Sequence, residues 1–221
     1  MASFYAAETP ERVKKAQLTL TKGLHLITSL TPNGRKVHIL LEELKDTYGL
    51  EWMISLIDLD KNEQKKDWFL RLNPNGRIPI LIDNNTCPPH VVMKSSAELL
   101  YLVNLADKDN IFCKCNIIFL GIMRTKALVY DVLEIRLSGR YGGGTREYLA
   151  GQGQGKYSIA DINAWAWVRN IRRIGLSENE LAPLPHLQQW VDRIAARPAV
   201  ERGLGEWYDE DVHPELLLET A

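Results

Sequence analysis

Two copies of one turn frame the residues that could do chemistry. TPNGRKVHILLEEL occupies residues 31–44, and the letters Pro-Asn-Gly-Arg return at residues 74–77 within NPNGRIPILID. Proline fixes φ, while asparagine and glycine tolerate positive φ, so both copies are strong turn signals. The first leads into a helical pattern and the second into a short apolar strand carrying a further proline, Pro79. They read as two walls of one peptide-binding site. The Ile78–Pro79 bond is of the X-Pro type, for which cis costs only about 0.5–1 kcal/mol against trans. Ser95 opens another helix, so its hydroxyl and the first-turn N–H groups make a trap for a carboxylate. The same donors serve equally well as a helix cap with no ligand.

Other chemistries find little support. Three cysteines, Cys87, Cys113 and Cys115, form no C-x-x-C pair, and five histidines are scattered, so neither a zinc site nor a disulfide framework is expected. Reduced, structural thiols are the expectation. GQGQG at 151–155 lacks the spacing and the preceding strand of a phosphate loop, and reads as a flexible connection. With 45% apolar and 25% charged residues the chain is a folded globular protein, and a net charge of −1 gives no electrostatic reason to expect nucleic acid as a partner. The N-terminus lacks a signal-peptide apolar core, and the longest apolar run, Ile117 to Met123, is too short to span a bilayer. A soluble, cytoplasmic protein without a membrane partner is expected.

The elements that must position these residues follow from periodicity. LHLITSL (24–30) and WMISLID (52–58) read as strands. Between them Val37, Leu40, Leu41 and Leu44 form one apolar helix face ending near Gly49. KKDWFLRLN leaves room for a short helix before Pro74. IPILID (78–83) and HVVM (90–93) are short strands, and SSAELLYLVNLA (95–106) is helical. The order β-α-β-α-β-β-α is a compact α/β unit with a mixed sheet. Beyond Ile111 strand signals vanish. Ile118 to Leu137 is helix-compatible, Ser158-x-x-Asp161 resembles a capping box, and residues 184–200 form a last helix. The expected division is a loosely held polar extension at 1–22, an α/β domain at 23–108, and an all-α domain with its tail at 109–221. Trp165, Trp167, Trp190 and Trp207 are expected to fill the helical core.

TPNGRKVHILLEEL, NPNGRIPILID, the SSA-x-LLYL helix, KYSIADI and ARPAVERG, in this order, resemble the cytosolic glutathione transferases. The likeness is to the fungal and bacterial subgroup related to the yeast nitrogen-catabolite regulator. It implies a thioredoxin-like first domain with a cis Pro79, then a helical bundle, and glutathione as co-substrate. The cis bond turns the N–H and C=O of Ile78 outward to pair with the tripeptide as a sheet edge pairs with an added strand. Ser95 would hold the γ-glutamyl end. Thr31 and Asn33 stand where the subgroup presents its thiol-contacting residues, at a helix N-terminus that favours a thiolate over a thiol of pKa about 8.5. Ser29 is a fallback. Gln64 matches a position that reaches the glutathione backbone, although a solvent-facing role fits it nearly as well.

The implied activity is glutathione transfer to a small-molecule electrophile, or glutathione-dependent reduction of a disulfide or peroxide, by a homodimer. A fungal origin would admit detoxification or secondary metabolism. The rival is a non-catalytic binding or regulatory module with the same fold, favoured by two departures. Relatives read Glu-Ser or Asp-Ser at the start of the Ser95 helix, where this chain has Lys94-Ser95. The Lys94 charge either repels the γ-glutamyl ammonium or, as a glutathione-binding residue, attracts the γ-glutamyl carboxylate. Glu98 takes a usually apolar position on that helix. Also, FCKCNIIFLGIMRTKALVYDVLEIRLS, all that separates Ile111 from the glycine-rich loop, supplies one long helix where relatives place two.

Overall fold

A computed structural model describes residues 9–112, 126–173 and 176–218, and divides the chain into two compact units. The first comprises Met1–Leu102 with Arg202–Ala221, and the second Val103–Glu201. The sequence division needs correcting, because the tail belongs to the first unit and the boundary falls inside a helix.

In the first unit, α1 (Glu11–Lys15) precedes β1 (Leu24–Thr28), α2 (Pro32–Tyr48), β2 (Trp52–Leu56), α3 (Asp67–Leu70), β3 (Ile80–Asp83), β4 (His90–Met93) and α4 (Ser95–Ala106). The sheet order is β2-β1-β3-β4, with β1 parallel to β2 and antiparallel to β3, and β4 antiparallel to β3. This is the mixed four-stranded sheet that the element order predicts. Ile27, Ile80 and Ile82 enter one apolar cluster with Trp68 and Phe69. Leu26 and Leu81, on alternate positions, are also 0% exposed, so both faces are covered. On α2 the expected stripe Val37, Leu40, Leu41 and Leu44 is fully buried, and Gly49 at φ 69° ends the helix with a left-handed residue.

The extension is not loosely held where it is described. Val13 and Leu18 are 0% exposed and join the cluster around Trp68, because an apolar side chain spaced alone in a polar segment still gains from burial. The tail reaches the same cluster through Leu218, whose N–H donates to the Leu56 carbonyl at 2.9 Å, and Leu217 bridges Leu56 in parallel.

The second unit holds α5 (Lys126–Ser138), α6 (Ile159–Val168), α7 (Glu178–Leu181), α8 (Pro185–Ala195) and most of α9 (Pro198–Gly203). The capping box at Ser158 forms: Ser158 Oγ accepts from Ala160 N–H at 3.2 Å, and Asp161 Oδ2 accepts from Ser158 N–H at 3.0 Å. Asp161 also accepts from Leu149 N–H and from Trp190 Nε1–H, both at 2.9 Å. Trp165 and Trp190 are buried as expected. Trp167 and Trp207 are each 50% exposed, and Trp207 belongs to the first unit. The glycine-rich connection is pinned rather than slack, because the Arg146 guanidinium donates to the carbonyls of Tyr148, Ala150, Gly151 and Gly153. The apolar run 117–123, Cys113 and Cys115 lie outside the described residues; Cys87 is exposed and free.

Candidate active site

Two helix N-termini meet. Thr31 is the N-cap of α2, extended at φ −91° and ψ 160°, and its Oγ1 accepts from Gly34 N–H at 3.1 Å. Proline at the first helical position suits this start. Gly34 is needed here because a Cβ would lie 2.3 Å from the Ser29 carbonyl oxygen, which also accepts from Thr31 N–H at 2.7 Å. Asn33, one residue into the turn, faces α4: Ser95 Oγ donates to Asn33 Oδ1 at 3.4 Å. At that length the bond is weak and readily exchanged for a better partner.

The second PNGR turn reaches the same neighbourhood from the other side. Gly76 N–H donates to the Asn73 carbonyl at 2.8 Å, and Gly76 takes φ +57°. Asn75 Nδ2 lies 3.4 Å from the Met93 sulfur, two residues before Ser95. Gln64 is brought in by the same turn. Lys65 Nζ donates to the Gly76 carbonyl at 2.8 Å, and a Cβ on Gly76 would stand 2.8 Å from the Gln64 carbonyl. The Gln64 amide oxygen is buried and has no donor among the described residues. The Ile78–Pro79 bond is cis, and Ile78 is half-buried with no hydrogen bond on its N–H or C=O among the described residues. One patch of the first unit therefore gathers Thr31, Asn33, Gln64, Ile78, Pro79, Lys94 and Ser95.

The electrostatics are uneven. Lys94 precedes α4 with φ 80°, rare for a residue bearing Cβ, and its carbonyl accepts from Ala97 and Glu98 N–H at 2.8 and 3.0 Å. Its ammonium is exposed and forms no ion pair among the described residues. One turn further on, Glu98 is 0% exposed with neither carboxyl oxygen hydrogen-bonded among the described residues, and burial pushes its pKa well above 4.5. Burial lowers the Lys36 ammonium to about 8 on the second turn of α2. His38, donor or acceptor to Thr28 Oγ1 at 2.7 Å, is lowered to about 3 by burial and stays neutral.

The tail supplies a neighbour that no local pattern announces. Ser29 Oγ donates to Glu210 Oε2 at 3.2 Å, so the fallback hydroxyl is already engaged. Burial, opposed by that hydrogen bond and aided by Asp58, Asp209 and Asp211, raises the Glu210 carboxyl. Its only sequence signal is an acidic run in an irregular segment.

Comparison with known proteins settles the ancestry of this arrangement. The family described as Glutathione S-transferase, N-terminal domain matches residues 31–105, and Glutathione S-transferase, C-terminal domain matches 122–198. The disulfide-bond oxidoreductase YghU of Escherichia coli is 30% identical over 84% of this chain and 76% of its own length. The chain belongs to the glutathione S-transferase family. Protein URE2 of Debaryomyces hansenii is 40% identical over 42% of the chain and 29% of its own length. A Burkholderia graminis glutathione transferase, solved with two glutathione molecules per subunit, superposes with a TM-score of 0.68 at 27% identity, covering 91% of this chain and 97% of that one. The thioredoxin-like unit followed by a helical transferase unit is thus the family fold. No helix among the described residues is long and apolar enough to cross a membrane.

Proposed function

We propose that the protein binds glutathione in the first unit and activates its thiol for attack on an electrophilic carbon or a disulfide sulfur. The carrying observation is the Asn33–Ser95 contact, which brings the start of α2 and the start of α4 together beside the unpaired Ile78 edge. The Ile78 N–H and C=O would pair with the cysteinyl backbone as with an added strand. Ser95 Oγ and the first-turn N–H groups of α4 would hold the γ-glutamyl carboxylate, and Gln64 the peptide backbone. Thr31 and Asn33, at the positive end of α2, would favour the thiolate. In conjugation the sulfur forms a bond to carbon as the leaving group departs with its electron pair. In disulfide reduction the thiolate forms a mixed disulfide with one substrate sulfur and displaces the other as a thiolate. A second glutathione thiolate then attacks the glutathione sulfur, releasing the remaining half as a thiolate and leaving glutathione disulfide; each released thiolate takes up a proton.

The names of two relatives support this reading: one is a disulfide-bond oxidoreductase, and another is a transferase solved with glutathione. A homodimer with a small electrophile or disulfide as its second substrate completes the proposal. A second reading rests on Lys94. Its exposed ammonium repels the γ-glutamyl ammonium and accepts no hydrogen bond, which favours a non-catalytic binding module. Calorimetric titration of glutathione into wild type, Ser95→Ala and Lys94→Glu separates the two. Binding by wild type that Ser95→Ala weakens, with thiol-dependent turnover, supports the enzyme. Binding that appears only in Lys94→Glu supports the module. A wild type that neither binds glutathione nor turns over refutes the enzyme.

A further inference from the structure

The dipeptide Glu-Trp occurs twice in the chain, at Glu51-Trp52 and Glu206-Trp207, and the fold of the first unit brings both copies to one cavity. The cavity measures about 580 Å³ and is also lined by Glu42, Lys45 and Arg202. That volume lies within the range of small-molecule sites. It opens at the C-terminal half of α2, where Glu42 stands roughly 16 Å along the helix from Thr31. It is therefore separate from the proposed glutathione site.

One wall is held in place by bonds that leave little freedom. Arg202 Nε donates to Glu42 Oε2 at 2.8 Å, and its Nη2 donates to Asp46. Tyr208 Oη donates to Glu42 Oε1 at 3.1 Å while its ring stacks on His38 at 3.7 Å. Gly203 packs so closely on α2 that a Cβ would meet the Ile39 backbone nitrogen at 2.8 Å. The Trp207 indole, anchored edge-to-face on His213 at 4.8 Å, is still half exposed.

The unpaired charges choose the ligand. Glu42 is satisfied by Arg202 and Tyr208, and Arg202 by Glu42 and Asp46. Glu51 and Glu206 are exposed and form no ion pair among the described residues. Lys45, the remaining lining cation, sits 5.7 Å from the Trp52 ring centre, so this wall already holds one ammonium against an indole. Two free carboxylates and an open indole face remain. We infer that this cavity is a binding site for a small aromatic ammonium cation, its ring on Trp207 and its charge against Glu206 and Glu51.

Three probes of one ring and different charge test the inference: phenethylammonium, 2-phenylethanol and phenylacetate, each titrated calorimetrically into the full chain. The cation binds saturably, about tenfold more tightly than the alcohol, and the anion binds least. Trp207→Ala weakens the cation about tenfold, and Glu51→Gln with Glu206→Gln reduces it to the affinity of the alcohol. All three side chains are exposed, so the variants fold, which thermal unfolding verifies. Saturating glutathione leaves the affinity unchanged. The inference is overturned if the cation shows no saturable heat at millimolar concentration or binds no better than the alcohol. It is equally overturned if Trp207→Ala binds as wild type does, or if glutathione displaces the cation.

Discussion

Replacing Glu98 by leucine is expected to stabilise the protein, and by more as the pH rises. Glu98 is fully buried in the first turn of α4 with neither carboxyl oxygen hydrogen-bonded among the described residues. A buried polar group left without partners costs about 1–3 kcal/mol, so leucine, similar in volume, recovers roughly that amount even in acid. A second effect comes from protonation. The unfolded side chain loses its proton near 4.5, whereas burial holds the folded one neutral to a well higher pH. Above 4.5 the folded state therefore binds more protons than the unfolded state, and stability falls by about 1.4 kcal/mol per pH unit until the folded carboxyl ionises. Below 4.5 both states are protonated and this loss vanishes. Urea unfolding at several values between about pH 4 and 7 measures it. The gap between Glu98→Leu and wild type should widen as the pH rises above 4.5 until the folded carboxyl ionises, and Glu98→Gln, which keeps the polar atoms but not the titration, should remove the slope alone. Curves that run parallel in pH, or a leucine variant less stable than wild type at neutrality, would refute the reasoning.

Three further outcomes follow from close contacts. Gly203→Ala forces a Cβ to within 2.8–2.9 Å of Ile39 backbone atoms and should lower stability by about 1–3 kcal/mol in urea unfolding. Asp161→Ala strands the buried donors of Leu149, Ser158 and Trp190, so a loss of about 3 kcal/mol or more is expected in thermal unfolding of the full chain. Thr31→Ala removes the α2 cap at a cost of about 1 kcal/mol, and thiol-dependent kcat/KM should fall with it; Thr31→Ser should restore both.

Much of the first unit was legible because its signals are local. The i, i+3, i+4, i+7 stripe of α2 and the strand patterns each act over a few residues, and the structure keeps them. Of the two Pro-Asn-Gly copies only the second forms a turn, while Pro32, Asn33 and Gly34 are the opening residues of α2. Family likeness supplies the individual positions Asn33, Gln64 and Ser95, but the contact of Asn33 with Ser95 and the approach of Gly76 to Gln64 come only from the fold, since no spacing along the chain encodes a contact between separate segments. The tail was misplaced for a related reason. Tyr208, Glu210 and Leu218 lie in short irregular turns without periodicity, and their partners His38, Ser29 and Leu56 are more than 150 residues away. Trp207 was read as core because large aromatics usually are, whereas its indole stays half exposed at a cavity rim.

The return of residues 202–218 to the first unit makes that domain discontinuous along the chain. On a ribosome, the sheet waits with one flank of β2 uncovered and a gap where Leu218 will sit, until the intervening helical unit has been synthesised. The thioredoxin-like half is thus begun before the helical unit and completed after it, and shortening the 202–218 strap would injure β2, which lies on the other side of that unit in sequence.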